Sequence, residues 1–141
     1  MLIGISPLLT PDLLHALASM GHGDEIVLAD ANFPATTLGK RLIHLPGVSA
    51  PAVLQAVLSV LPLDSFVDQP ALTMQIVGDS QTRPASVAEF DALLQQQGHQ
   101  ASAAIERQAF YQRAAQAFAV VATGELRTYG NILLKKGVIA A

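Results

Sequence analysis

Residues Ile26 to Ala29 form an uninterrupted apolar run, Ile-Val-Leu-Ala, with polar groups crowding both ends. A strand with one wetted face alternates apolar and polar side chains. A run without alternation reads as a strand buried on both faces, and such a strand needs helices on each side of its sheet. This stretch restricts the chain to a layered α/β fold. The expected architecture is three-layer, with a mixed, mostly parallel sheet and helices on both faces. No repeat, linker or internal boundary appears, so residues 1–141 are read as a single domain.

The remaining segments alternate in the same sense. Thr10 followed by Pro11 is an N-cap with proline at the first helical position, and Leu13, Leu14, Leu17 and Met20 share one helical face. Gly21 is expected to cap that helix at its C-terminus. Pro34 breaks the chain, and Leu42 to Leu45 is a short strand. Ser49 and Pro51 open a helix with Val53, Leu54, Val57 and Leu58 inward, closed by Pro62. A strand is expected over 73–77, then a polar turn-rich loop over 78–85. Ser86 and Glu89 have capping-box spacing, opening a helix with Phe90, Leu93 and Leu94 inward. A strand near 101–105, a helix over 106–116, a strand over 118–122 and a last strand over 131–134 complete the chain.

The charged fraction is only 13% and the apolar fraction 51%, where roughly a quarter charged is usual for a soluble domain. No apolar run approaches the ~20 residues that a spanning helix needs, so self-association is the better explanation and no membrane contact is expected. A net charge of −3 without a basic cluster argues against nucleic acid. No basic segment leads an apolar one at the N-terminus, so a signal peptide is not expected. The absence of cysteine excludes disulfides and thiolate metal sites and fits a cytoplasmic protein.

Five places offer chemistry. His22 lies between two glycines, which free the backbone to approach a ligand, and imidazole titrates near neutral pH. Asp30 stands at the carboxyl end of the buried strand, where open α/β sheets collect ligands, and a carboxylate there can take two charge-assisted hydrogen bonds. Arg107 opens a helix after a strand. Tyr129 and Asn131 bracket Gly130 in a turn, and side chains two residues apart can project the same way. Each has a plainer role as a cap, a turn residue or a solvated side chain. Asp24 and Glu25 are read as solvated or helix-capping groups, and the Lys135-Lys136 pair as solvated at a strand end. His15, His44 and His99 lack metal-ligand spacing, so no metal and no cofactor are expected.

The segments Gly-His-Gly-Asp-Glu-Ile-Val (21–27) and Ala-Asp-Ala-Asn-Phe-Pro (29–34), with Ala-Val-Val-Ala-Thr-Gly-Glu (119–125) and Tyr-Gly-Asn-Ile-Leu-Leu-Lys-Lys-Gly-Val (129–138), resemble the L-fucose mutarotase and D-ribose pyranase family at both ends of the chain. Glu106 to Tyr111 resembles the Arg-x-Ala-Phe-Tyr pattern of the fucose branch; ribose pyranases tend to carry histidine where Arg107 stands. Gln108 departs from that branch, which commonly has phenylalanine there. The resemblance implies a sugar mutarotase without cofactor. His22 would be the acid–base group, and Asp30, Arg107, Tyr129, Gly130 and Asn131 would hold the monosaccharide; the phenol of Tyr129 is a candidate proton relay on the opposite side. It also implies a homo-oligomeric, decameric ring with the sugar between subunits. Ribose pyranase activity and a non-catalytic sugar-binding accessory role are the alternatives.

Eight residues separate His22 from Asp30, up to ~27 Å if extended at about 3.3 Å each. Either the glycine loop doubles back or the pocket takes groups from more than one subunit.

Overall fold

A computed structural model describes residues 1–141. Its elements are α1 (Pro11–Ser19), β1 (Glu25–Ala29), α2 (Ala35–Leu38), β2 (Leu42–Leu45), α3 (Ala50–Leu58), β3 (Ala71–Met74), α4 (Ala85–Gln96), β4 (Ala103–Ile105), α5 (Arg107–Gln116), β5 (Ala119–Thr123) and β6 (Ile132–Lys135). The six strands form one sheet in the order β2-β5-β1-β6-β3-β4. Only β6 runs antiparallel to its neighbours, β1 and β3. The mixed, mostly parallel sheet expected from the sequence is therefore present.

The alternation of side chains through the sheet produces two cores. Ile26 and Leu28 of β1, with Ile132 and Leu134 of β6, face a larger apolar cluster closed by α1, α3 and α4. Val27, Ala29 and Leu133 face a smaller one closed by α2 and α5 through Ala35, Phe110 and Ala114. Both faces of β1 are dry, and Ile26 to Ala29 are fully buried, as the unalternating run requires. No helix is long and apolar enough to cross a membrane.

Local expectations mostly hold. Thr10 Oγ1 accepts from Leu13 N at the start of α1. Glu106 caps α5 by accepting from the Gln108 and Ala109 amides. Four differ. The chain leaves α1 through an extended Met20, and Gly23, not Gly21, takes the positive φ of 85°. β3 runs over 71–74 rather than 73–77, because it pairs with β6 only from Ala71 to Thr73 and with β4 only to Ile105. Past Met74 no strand offers a ladder, so Ile76 and Val77 turn away despite their β propensity. No capping box forms at α4: Pro84 occupies the N-cap without a side-chain bond. The Ser86 hydroxyl is buried without a partner and Glu89 pairs with Arg127 instead. Lys136 is not solvated; its Nζ donates to the Leu17 and Met20 carbonyls, satisfying the C-terminal end of α1.

The topology sets where chemistry can collect. β1, β3, β4 and β5 all end on one edge of the sheet, and antiparallel β6 begins there. Asp30, Met74, Arg107 and the 124–131 turn are consequently neighbours, although 101 residues separate Asp30 from Asn131. The β5 end is fitted closely to the β2–α3 loop: Gly124 N donates to Val48 O, and a Cβ at Gly124 would lie 2.1 Å from Pro46 O.

Candidate functional site

A cavity of about 190 Å³ opens at that edge. Its polar side is built from Asp30, Asn32, Arg107, Thr128, Tyr129 and Asn131, and its apolar side from Phe33, Met74 and Tyr111. Phe33 and Tyr111 meet edge to face, 5.5 Å between ring centroids. A small hollow with one apolar wall and converging polar groups suits a small polyol, whose rings have apolar C–H faces and hydroxyl rims.

Asp30 is the anchor of the polar side. It is 5% exposed, and its Oδ1 and Oδ2 accept from the Asn32 and Gly130 amides at 2.9 and 3.2 Å. Its own amide donates to Asn131 Oδ1 at 2.7 Å. Burial pushes its carboxyl pKa up, against the lowering effect of hydrogen bonds from Asn32, Asn131 and Gly130. Arg107, at the first position of α5, is exposed and lines the same hollow. Tyr129 is the one non-glycine residue with positive φ, at 61°. Such a conformation in a bulky residue is strained. Its phenolic oxygen accepts from Val77 N at 3.2 Å, which leaves the hydroxyl proton free to donate elsewhere.

Gly130 plays a different part from the one the sequence suggested. It does not line the hollow; it is buried beneath it, and a Cβ there would stand 2.7 Å from Glu125 Cγ. Its close approach is to the protein's own chain, and its amide serves Asp30. Asn32, Phe33, Met74, Tyr111 and Thr128 were not singled out from sequence. Tyr111 could have been, since it lies four residues after Arg107 and so on the same helical face; Met74 left no signal.

His22 stands apart from this hollow. It precedes β1, whereas Asp30 follows it, and the six residues from Asp24 to Asp30 span roughly 20 Å at about 3.3 Å each. The glycine loop does not double back: Gly23 N and Asp24 O bond to the Lys136 backbone at the far end of the sheet. There the imidazole is half exposed, and its Nε2 lies 3.1 Å from Oδ1 of buried Asp64. The same oxygen accepts from Phe66 N at 3.0 Å. These bonds, that from Phe66 first, hold the Asp64 carboxyl below its ordinary pKa. An ionised carboxylate only accepts, so Nε2 carries the proton shared with Asp64. Asp64 also escaped the sequence reading, because it sits in an irregular stretch with no spacing to mark it. Asp24 and Glu25 are structural: Asp24 Oδ2 accepts from Gly21 N, and Glu25 pairs with Arg113.

A model of the RbsD / FucU transport protein family matches residues 3–139. The chain is 49% identical to the fucose mutarotase of Homo sapiens, across 97% of this chain and 94% of that protein. It is 47% identical to the L-fucose mutarotase of Haemophilus influenzae, across 98% and 97% respectively. Its fold matches the crystal structure of the Streptococcus pneumoniae fucose mutarotase in complex with L-fucose, with a TM-score of 0.93 and 40% identity over 99% of this chain and 100% of that one. Bacillus subtilis RbsD, solved with D-ribose, matches with a TM-score of 0.75 at 24% identity over 94% and 95% of the two chains, a likeness of fold. With a family model spanning nearly every residue and relatives almost half identical along their whole length, this chain belongs to the RbsD/FucU family.

Proposed function

We propose that the chain is an isomerase that interconverts the α and β anomers of L-fucose. The observation that carries this is the convergence of Asp30, Arg107, Tyr129 and Asn131 on one small hollow, in a fold that matches a fucose-bound relative with a TM-score of 0.93. The reaction opens and closes a hemiacetal. A base removes the proton of the anomeric hydroxyl while an acid protonates the ring oxygen; the bond between the anomeric carbon and the ring oxygen breaks and the free aldehyde forms. Rotation about one bond followed by the reverse transfers closes the ring on the other face. Nothing is consumed, and the chemistry asks only for a proton acceptor and a proton donor in one pocket.

In this scheme Asp30, Arg107 and Asn131 hold sugar hydroxyls, His22 is one acid–base group and Tyr129 the other. His22 is supplied by a neighbouring protomer, because its own strand carries it to the opposite end of the sheet. The assembly is a closed ring, with ten chains as its expected size. Low surface charge and the exposed Phe66, Val77 and Leu126 side chains support an extensive contact between copies. Sedimentation velocity is expected to give one large species; a monomer that exchanges anomers at full rate would remove the shared pocket.

Saturation-transfer NMR tests the activity directly. Magnetisation placed on the α-anomeric proton of L-fucose is expected to reach the β signal far faster with catalytic amounts of protein than without. Under the same conditions D-ribose is expected to gain less, given arginine rather than histidine at position 107. Equal or greater acceleration of ribose would favour a pyranase. Binding of fucose with no gain in exchange would favour a sugar-binding accessory protein.

A further inference from the structure

The segment between β5 and β6 is held in an unusual way. Glu125 is 4% exposed, yet its carboxylate does not reach the hollow. It takes three bonds from Arg127: the backbone amide and Nε to Oε1, at 3.0 and 2.8 Å, and Nη2 to Oε2 at 3.0 Å. The other side of the same guanidinium grips Glu89 of α4, Nη1 to Oε1 at 2.6 Å and Nη2 to Oε2 at 3.1 Å. One arginine therefore bridges a buried carboxylate and a helix, using the planar fork that lysine lacks. The Glu125 backbone is tied down as well. Its carbonyl accepts from Ala31 N at 2.8 Å, and its amide donates to Thr123 Oγ1.

Two residues on from the guanidinium lies Tyr129 in its left-handed conformation, and next comes Gly130, packed so tightly against Glu125 that no Cβ fits. A non-glycine residue at φ 61° persists only where its surroundings over-determine it. Among the side chains bonded within this turn, Arg127 is the one that ties it to α4, away from the hollow. We infer that Arg127 is a positioning residue. By clamping Glu125 to Glu89 it holds the turn that places Tyr129 at the hollow and keeps the Gly130 amide on the Asp30 carboxylate. It touches neither substrate nor reacting atoms. The inference rests on the mutarotase reading for its kinetic part, but the geometry can be followed without it.

Two readouts on Arg127→Met and Arg127→Lys decide it. In the ¹H–¹⁵N spectrum of the oligomer, the Gly130 amide proton is expected well downfield in the parent, because it donates to a carboxylate. It should move upfield in Arg127→Met. Fucose exchange at saturating sugar should fall about tenfold in Arg127→Met, with part of the loss restored in Arg127→Lys, whose single ammonium can hold Glu125 but not both carboxylates. A lowered melting temperature with an unmoved Gly130 resonance and unchanged exchange would make Arg127 an ordinary surface ion pair and overturn the proposal. If the parent protein itself fails to exchange fucose, the mutarotase reading falls, and the Gly130 resonance alone still decides the positioning role.

Discussion

Replacing His22 with glutamine is expected to slow fucose anomer exchange by about 10²–10⁴-fold, the usual contribution of one positioned acid–base group. Glutamine is the informative substitution because it leaves the surroundings satisfied. Asp64 is buried and ionised, and loss of its partner would leave a buried charge short of a donor. The glutamine amide can still donate to Asp64 Oδ1, and the Phe66 amide remains on that oxygen. Folding and assembly should survive, so the loss reports chemistry. The imidazole differs in one respect: with Nε2 donating to Asp64, its second ring nitrogen can take up and release a proton, and an amide nitrogen cannot. Measured by saturation transfer, exchange in His22→Gln within a few-fold of the parent would remove His22 from the mechanism.

Asp30→Asn is expected to raise the KM for fucose by about 10²-fold, since a hydrogen bond to a charged group contributes about 1.5–3 kcal/mol and each 1.4 kcal/mol is tenfold. The substitution keeps the shape but not the acceptor pattern. Asp30 receives two backbone amides, one on each oxygen; asparagine offers one oxygen and turns an N–H toward the other donor. Stability should respond less than affinity, because the ionised carboxylate is itself penalised by burial. The sign follows from the raised pKa. The folded state holds this proton more tightly than the unfolded chain, so the penalty applies above the raised value and is relieved as pH falls through it toward 3.8. Asp64 and Glu125 act oppositely: their lowered pKa values contribute stability at neutral pH that is lost on acidification. Asp30→Asn should therefore weaken fucose binding while leaving the acid-induced loss of stability in place. A KM unchanged from the parent would show that the carboxylate does not hold the sugar.

The same two variants probe the shared pocket. If one protomer supplies His22 and its neighbour Asp30, a random 1:1 mixture of His22→Gln and Asp30→Asn subunits restores both groups at about a quarter of the head-to-tail junctions. Mixing after dissociation and reassembly is expected to recover exchange at low fucose concentration beyond that of either variant alone. No recovery in verified mixed oligomers would place both groups in one protomer's site or exclude one of them.

Most of the fold was legible because its signals are local. The dry run at β1, the Thr10-Pro11 cap and the Glu106 start of α5 depend on neighbours within a few residues, so the sequence carries them intact. The misses arose where a distant partner outweighed the local preference. β3 is cut short by where β6 and β4 end, and α4 begins one residue before Ser86, which leaves Glu89 to pair with the distant Arg127. Ile76 and Val77 have strand propensity but no strand beside them.

The site divides along the same line. The place at the carboxyl end of β1 marks Asp30, and the family resemblance marks Arg107, Tyr129 and Asn131; all four line the hollow. Sequence could not show that Asp30 and Asn131 bond directly, that Gly130 packs under the site rather than into it, or that Asp64 orients His22. Those facts depend on antiparallel β6 returning beside β1, a pairing over about a hundred residues that no local pattern encodes. From the sequence alone came the layers and the chemical groups; from the tertiary structure alone came which groups share a pocket, since a stiff strand holds its two ends apart whatever its residues are.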